Sequence, residues 1–152
     1  MEYREARLED LPRLLEIEQL MIDAERPFDA HIKSGSPTYY DISELIRSSD
    51  SMVMLGVEQG EIVATGYAQI RQSKDSLEHE FHSYLGFMYV SPDFRGKRIN
   101  GEIIEQIKSW SLKKGINHLY LDVYAENTAA MKAYQKVGFD PCLLEMKLSL
   151  DI

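Results

Sequence analysis

Three groups of residues in this chain have the types and spacing to do chemistry, and each suits a different task. The first is Arg95-Gly96-Lys97-Arg98-Ile99-Asn100-Gly101, a basic, glycine-containing loop between an apolar run ending at Val90 and an amphipathic stretch from Glu102 to Lys114. Free N–H groups at a helix start, the positive end of the helix dipole and three nearby cations all favour a phosphate there. The backbone should matter more than the charges, because an exposed cation at a helix end contributes only about 0.3–1 kcal/mol. The second group is Glu80, His82 and Tyr84, whose alternation places them on one face of a strand. His82, or Glu80 if burial raises its pKa, suits taking a proton at neutral pH. The third is the run Asn127 to Phe139, in which Tyr134 lies one helical turn beyond the small Ala130. A phenol is protonated at neutral pH and can give its proton to a departing group, while Asn127 suits a helix cap.

The elements that must position these groups follow from punctuation and periodicity. Tyr3–Ala6 reads as a strand, and a helix opens at Asp10-Leu11-Pro12 with Leu11, Leu14, Leu15 and Leu20 as its apolar stripe, fading near Ala24. A second helix is expected at Asp41–Arg47. Ser51–Glu58 and Glu61–Arg71 form an antiparallel hairpin around Gln59-Gly60, and Phe81–Val90 is a third long strand. Gly86 inside it marks a bulge or a close approach. The next helix carries Ile103, Ile104, Ile107 and Trp110 on one face and ends at Gly115. Asn117–Tyr124 then lies parallel to Phe81–Val90 through a right-handed crossover. A helix capped at Asn127 or Thr128 and ended by Gly138 leads to a final strand, Leu143–Leu150.

Composition bounds the functions open to this framework. A chain of 152 residues with 44% hydrophobic and 28% charged side chains reads as a single globular domain over residues 1–152. No apolar run reaches the roughly 20 residues of a membrane span, and the polar start lacks the order of a signal peptide. A cytoplasmic protein is the expectation. The net charge of −8 disfavours nucleic acid and anionic membranes as partners and suits a cationic acceptor. Cys142 is the sole cysteine, so no intrachain disulfide forms, and it reads as a small core or edge residue. The four histidines lack metal-ligand spacing, and no metal site is expected.

Taken together, the two motifs resemble the GNAT superfamily, the Gcn5-related N-acetyltransferases. The family loop reads Q/R-x-x-G-x-G/A, and here Arg95 fills its first position while Arg98 and Asn100 stand where the later glycines usually do. The second motif, N-x-x-A-x-x-x-Y-x-x-x-G-F, is matched at Asn127, Ala130, Tyr134, Gly138 and Phe139. The resemblance implies an α/β GNAT fold, a mixed, mostly antiparallel twisted sheet splayed between its fourth and fifth strands, with helices on both faces. It implies acetyl-coenzyme A as co-substrate, bound by Met88, Tyr89 and Val90, by the loop Arg95–Gly101, and by Asn127, Ala130 and Tyr134. It further implies direct transfer of the acetyl group to a primary amine of a small molecule or protein. Tyr134 would protonate the thiolate, His82 or Glu80 would act as base, and a backbone N–H near Met88 would hold the oxyanion. Asp122 and Tyr124 are reserves for binding the amine. The acceptor groove would be formed largely by residues 21–48, with Glu25, Asp29 and Asp41 available to an amine, and the protein would be a monomer or homodimer. The rival reading is a non-catalytic acyl-coenzyme A sensor or interaction domain that keeps the fold and lacks a working base.

Overall fold

Gln59 and Gly60 both adopt positive φ, 50° and 81°, the geometry of a tight two-residue hairpin turn between β2 (Ser51–Glu58) and β3 (Glu61–Gln72). That hairpin seeds the sheet in the computed structural model, which describes residues 1–151. β1 (Glu2–Glu5) pairs antiparallel with β2, and β4 (Phe81–Val90) pairs antiparallel with β3. β5 (Leu119–Leu121) then pairs parallel with β4, giving the order β1-β2-β3-β4-β5. The expected splay is present as register: β4 and β5 pair only from Ser83 to Leu85, so the later half of β4 has no ladder partner on that side. β5 is accordingly shorter than the expected Asn117–Tyr124.

The chain forms two compact units, Met1–Asp122 and Val123–Ile152. In the first, the sheet carries helices on both faces. One core cluster joins Leu14, Ile17 and Met21 of α1 (Leu11–Glu25), Ile42 and Leu45 of α2 (Ile42–Arg47), and Val53, Leu55, Tyr67 and Phe87 of the sheet. On the other face, α3 (Ile99–Lys113) buries Ile103, Ile104 and Ile107, and Ser111 Oγ meets Ser83 Oγ of β4 at 2.7 Å. Gly115, at φ 79°, follows α3 as expected. Pro12 sits in the first turn of α1, where its missing N–H costs no hydrogen bond. The buried stripe of α1 departs from expectation: it runs Leu14, Ile17, Glu18, Met21 and Ile22, while Leu15 and Leu20 are exposed. Counting leucines alone missed the i, i+3, i+4, i+7 set that Ile17 and Met21 complete.

The second unit holds α4 (Thr128–Lys136), capped by Asn127, whose side chain accepts from Ala130 N at 3.2 Å. Gly138 follows it at φ 109°. The expected final strand is absent: residues 140–151 carry no strand assignment, and Leu143–Leu150 is exposed throughout. Alternation alone does not make a strand, because each backbone group needs a neighbour across a ladder. Cys142 is exposed as well, contrary to its expected place in a core or edge.

Candidate active site

Gly86 is the pivot of the first unit's chemistry. Residues Tyr67 and Thr65 of β3 face Gly86 and Tyr89 of β4, so two residues, Phe87 and Met88, stand opposite the single Gly66. Phe87 takes up the extra length at φ 54°, which confirms the bulge expected beside Gly86. A Cβ on Gly86 would lie 2.5 Å from the Tyr67 ring, so the missing side chain is what lets that ring lie over the strand. Phe87 N–H donates to the Tyr40 hydroxyl at 3.1 Å. That donor is therefore engaged, whereas Met88 has no residue opposite it in either ladder.

Tyr40 is itself held by a buried carboxylate that sequence reasoning missed. Glu18, fully buried in α1, accepts from the backbone N–H groups of Tyr39 and Tyr40 at 2.9 and 3.0 Å through Oε2. Both bonds run to Oε2, while Oε1 is buried with no hydrogen-bond partner, and they tie α1 to the segment whose Tyr40 hydroxyl meets the bulge. Around Tyr40 stands an aromatic wall: Tyr67 at 5.2 Å, Phe87 at 5.6 Å, and Tyr84 beyond at 6.4 Å from Tyr67. Tyr84 donates to Asp122 Oδ2 at 2.8 Å, and the Arg71 guanidinium lies 3.8 Å from the centre of its ring. Burial first, then Asp122, pushes the Tyr84 hydroxyl well above the usual phenol range. Burial likewise raises the Glu25 carboxyl, which shares a hydrogen bond with Tyr39. The Tyr84 hydroxyl therefore stays protonated as a donor, and the carboxyl groups of Asp122 and Glu25 lie beside this tyrosine cluster.

The three expected members of the base cluster separate. His82 and Tyr84 share the half-buried side of β4, but Glu80 precedes the strand and is exposed. The Glu80 carbonyl still accepts from Ser73 N–H at 2.8 Å, beyond the Gln72 end of β3, but its side chain is exposed to solvent. His82 instead belongs to a hydrogen-bonded chain. Ser73 Oγ lies 2.9 Å from His82 Nδ1 and 2.8 Å from His79 Nδ1, and His79 Nε2 lies 2.9 Å from the Tyr120 hydroxyl. Two proton orders satisfy every member, one running from Tyr120 to His82 and one in reverse, in which His82 Nδ1–H donates to Ser73, Ser73 donates to His79, and His79 Nε2–H donates to Tyr120. In that order His82 Nε2 carries a lone pair. Desolvation first, then repulsion of the charged ring by its neighbours His79 and Arg71, lowers the His82 pKa below its ordinary 6.5. His82 is neutral at pH 7 and able to accept a proton.

The loop after β4 has the conformation its family positions require. Gly96 sits at φ 79° and Arg98 at φ 63°, so Arg98 occupies a left-handed site where glycine is usual. Arg98 is the residue before α3, whose first residues Ile99, Asn100 and Gly101 present their N–H groups at the helix start. No heavy atom lies within 4 Å of a Cβ built on Gly96, and Arg95, Lys97 and Arg98 are exposed. This open, cationic helix start fits a pyrophosphate, and the side of β4 that no strand pairs, at Met88 and Tyr89, fits an extended amide chain. Arg95 differs from the simplest expectation, because its Nε donates to the Val90 carbonyl at 2.9 Å and braces the loop. We expect Arg98→Gly to raise stability by about 0.5–1 kcal/mol. Left-handed strain of about 1–2 kcal/mol is relieved, against roughly 0.4–1 kcal/mol for glycine's freedom in the unfolded chain. Thermal denaturation checks this, and a lower melting temperature would show that the Arg98 side chain itself holds the loop.

In the second unit, Ala130 and Tyr134 lie on α4 with Asn127 as its cap, and the Tyr134 and Phe139 rings meet edge to face at 6.0 Å. Among the described residues no group of three or more histidine, cysteine, aspartate or glutamate side chains could hold a metal ion. Among them, too, no helix is long and apolar enough to cross a membrane.

Comparison with known proteins agrees with this geometry. Residues 14–139 match the acetyltransferase (GNAT) family. The chain is 25% identical over 122 residues to the aminoglycoside N(6')-acetyltransferase type 1 of Salmonella typhimurium, covering 75% of this chain and 74% of that protein. Among solved structures, a tetramutant of the BH1408 protein from Bacillus halodurans superposes with a TM-score of 0.88 at 23% identity, over 99% of this chain and 100% of that one. The aminoglycoside 6'-N-acetyltransferase AAC(6')-IG from Acinetobacter haemolyticus gives a TM-score of 0.75 at 16% identity, over 100% and 99% of the two chains.

Proposed function

This chain belongs to the acetyltransferase (GNAT) family, and we propose that it transfers the acetyl group of acetyl-coenzyme A directly to a primary amine on a small, polar, cationic acceptor. The observation that carries the acceptor class is the exposed Asp122 carboxylate, held by the Tyr84 hydroxyl at 2.8 Å, on a chain of net charge −8. An ammonium is attracted by such a carboxylate. The likeness to an aminoglycoside acetyltransferase supports an amino sugar or a similar polyamine as the acceptor. The family match crosses the boundary between the two units, which supports one catalytic domain over the chain. A cytoplasmic setting, where thiols such as that of Cys142 stay reduced, is part of the same reading.

His82 takes the proton from the acceptor ammonium, with exposed Glu80 as the other candidate. The freed nitrogen attacks the thioester carbonyl, and the backbone N–H of Met88 stabilises the oxyanion, since Phe87 N–H is engaged by Tyr40. The carbon–sulfur bond then breaks, and Tyr134 protonates the leaving thiolate. Arg95–Gly101 hold the pyrophosphate, Met88, Tyr89 and Val90 the pantetheine arm, and Asn127 and Ala130 complete the cofactor contacts; these roles rest on the family motifs.

Acetyl-coenzyme A should raise the melting temperature, since a ligand selective for the folded state adds about 2.7 kcal/mol at a hundredfold excess over Kd. Release of free coenzyme A should then depend on added amine, and an amino-sugar panel should outpace peptides bearing lysine. Cofactor binding without amine-dependent turnover would favour a sensor instead, and no shift at millimolar cofactor would overturn the proposal altogether.

A further inference from the structure

Phe87 carries the strain of the bulge, and two hydroxyl groups rather than a ladder hold its backbone. It adopts φ 54°, a left-handed conformation that is costly for a residue with a large side chain, and it has no residue opposite it in either ladder. Such strain persists only where the surroundings over-determine it. The Phe87 N–H donates to the Tyr40 hydroxyl at 3.1 Å, and the Phe87 carbonyl accepts from the Thr65 hydroxyl at 2.7 Å. Thr65 and Phe87 are each only 1% exposed, so no water competes for that bond.

We propose that Thr65 is a positioning residue for the oxyanion: by holding the Phe87 carbonyl it sets the direction of the Met88 N–H. The inference rests on the reading of that N–H as the oxyanion donor. Phe87 C=O and Met88 N–H are the two ends of one peptide group, which is planar and trans, so they point in opposite directions. A carbonyl drawn toward Thr65 on β3 therefore turns the N–H away from β3, toward the side of β4 that β5 leaves unpaired beyond Leu85. Tyr40 fixes the preceding peptide group through its N–H in the same way. Without the Thr65 hydroxyl, the Phe87–Met88 peptide would be freer to rotate, since no ladder pairs either residue. A donor already aimed needs no reorganisation as charge develops on the thioester oxygen, which is where its catalytic worth lies.

Thr65→Val keeps the branched shape of the side chain and removes only the hydroxyl. At saturating amine its kcat should fall by roughly 10–100-fold, short of the loss of about 10²–10³ that follows deletion of an oxyanion donor, because the N–H is misdirected rather than absent. Acetyl-coenzyme A affinity by calorimetry and the KM for the amine should change little. Thr65→Ser, which restores a hydroxyl, should recover most of the rate. A second readout needs no turnover. Infrared spectra of bound acetyl-coenzyme A, its thioester carbonyl isotopically labelled, should show the carbonyl stretch lowered in the wild type and closer to that of free cofactor in Thr65→Val. If Thr65→Val does not fold, Thr65→Cys, a weaker donor, should give an intermediate rate and stretch. Wild-type rate and stretch in Thr65→Val or Thr65→Cys overturn the proposal, as does a rate loss that serine does not recover. An unshifted carbonyl in the wild type removes the Met88 N–H as donor and overturns the role of Thr65 with it. A shift that depends on Thr65, in a protein that turns over no amine, supports the proposal while refuting the acetyl-transfer reading.

Discussion

Tyr134→Phe should lower kcat by roughly 10²–10⁴-fold, the usual worth of one acid–base group, while acetyl-coenzyme A affinity stays nearly constant. The substitution keeps the ring, and with it the edge-to-face contact with Phe139 at 6.0 Å that follows the turn of α4. Only the hydroxyl is lost. A phenol protonated at neutral pH is an effective donor to a coenzyme A thiolate, so the loss should fall on the step in which the carbon–sulfur bond breaks. Steady-state rates at saturating amine, with calorimetry for the cofactor, separate the two quantities. If kcat is unchanged, a burst of coenzyme A in the first turnover decides between two causes. A burst means product release limits the wild-type rate and masks the hydroxyl, whereas its absence means that another group protonates the thiolate.

The parts of this fold that were legible in the sequence are those fixed by local physics. Gln59-Gly60, Gly115, Gly138 and Asn127 each specify a turn or cap through their own backbone preference or a side chain three residues away, and each was found where expected. The strands Ser51–Glu58 and Phe81–Val90 matched because long β-rich runs end at clear punctuation. Gly86 gave away the bulge, and Arg98 kept the left-handed conformation that the glycine of the family loop would have adopted.

What was not legible depends on partners distant in the chain. Glu18 looks like any other acidic position of α1 until the loop at Tyr39 and Tyr40 brings two N–H groups to it. The Tyr39-Tyr40 pair was the available signal, since adjacent tyrosines in a polar stretch call for a buried destination. Tyr67 and Arg71 enter the site only through the β3–β4 register, which the bulge shifts. Leu143–Leu150 shows the converse limit. Its alternation predicted a strand, but a strand needs a ladder of backbone partners as well as a pattern, and residues 143–150 carry no strand assignment.

The same dependence on distant partners decides the base. His82→Ala should lower kcat/KM by roughly 10²–10⁴-fold and remove the rising acid limb of its pH profile. The sign follows from the lowered pKa. The neutral ring is the reactive form, so in the wild type kcat/KM rises with pH through a midpoint below 6.5 and is flat by neutrality. Ser73→Ala tests the chain behind it. Its hydroxyl, 2.9 Å from His82 Nδ1, accepts more strongly from the charged ring than from the neutral one, so its removal should move the midpoint further toward acid. It should also cost activity across the whole range, because the ring then loses the bond that orients it. A residue that served packing alone would lower stability without moving the midpoint. If the acid limb persists in His82→Ala, it belongs to another group, and Glu80→Gln is the variant that should then abolish it. If neither does, the amine reaches the thioester already neutral, and this end of β4 contributes position rather than proton transfer.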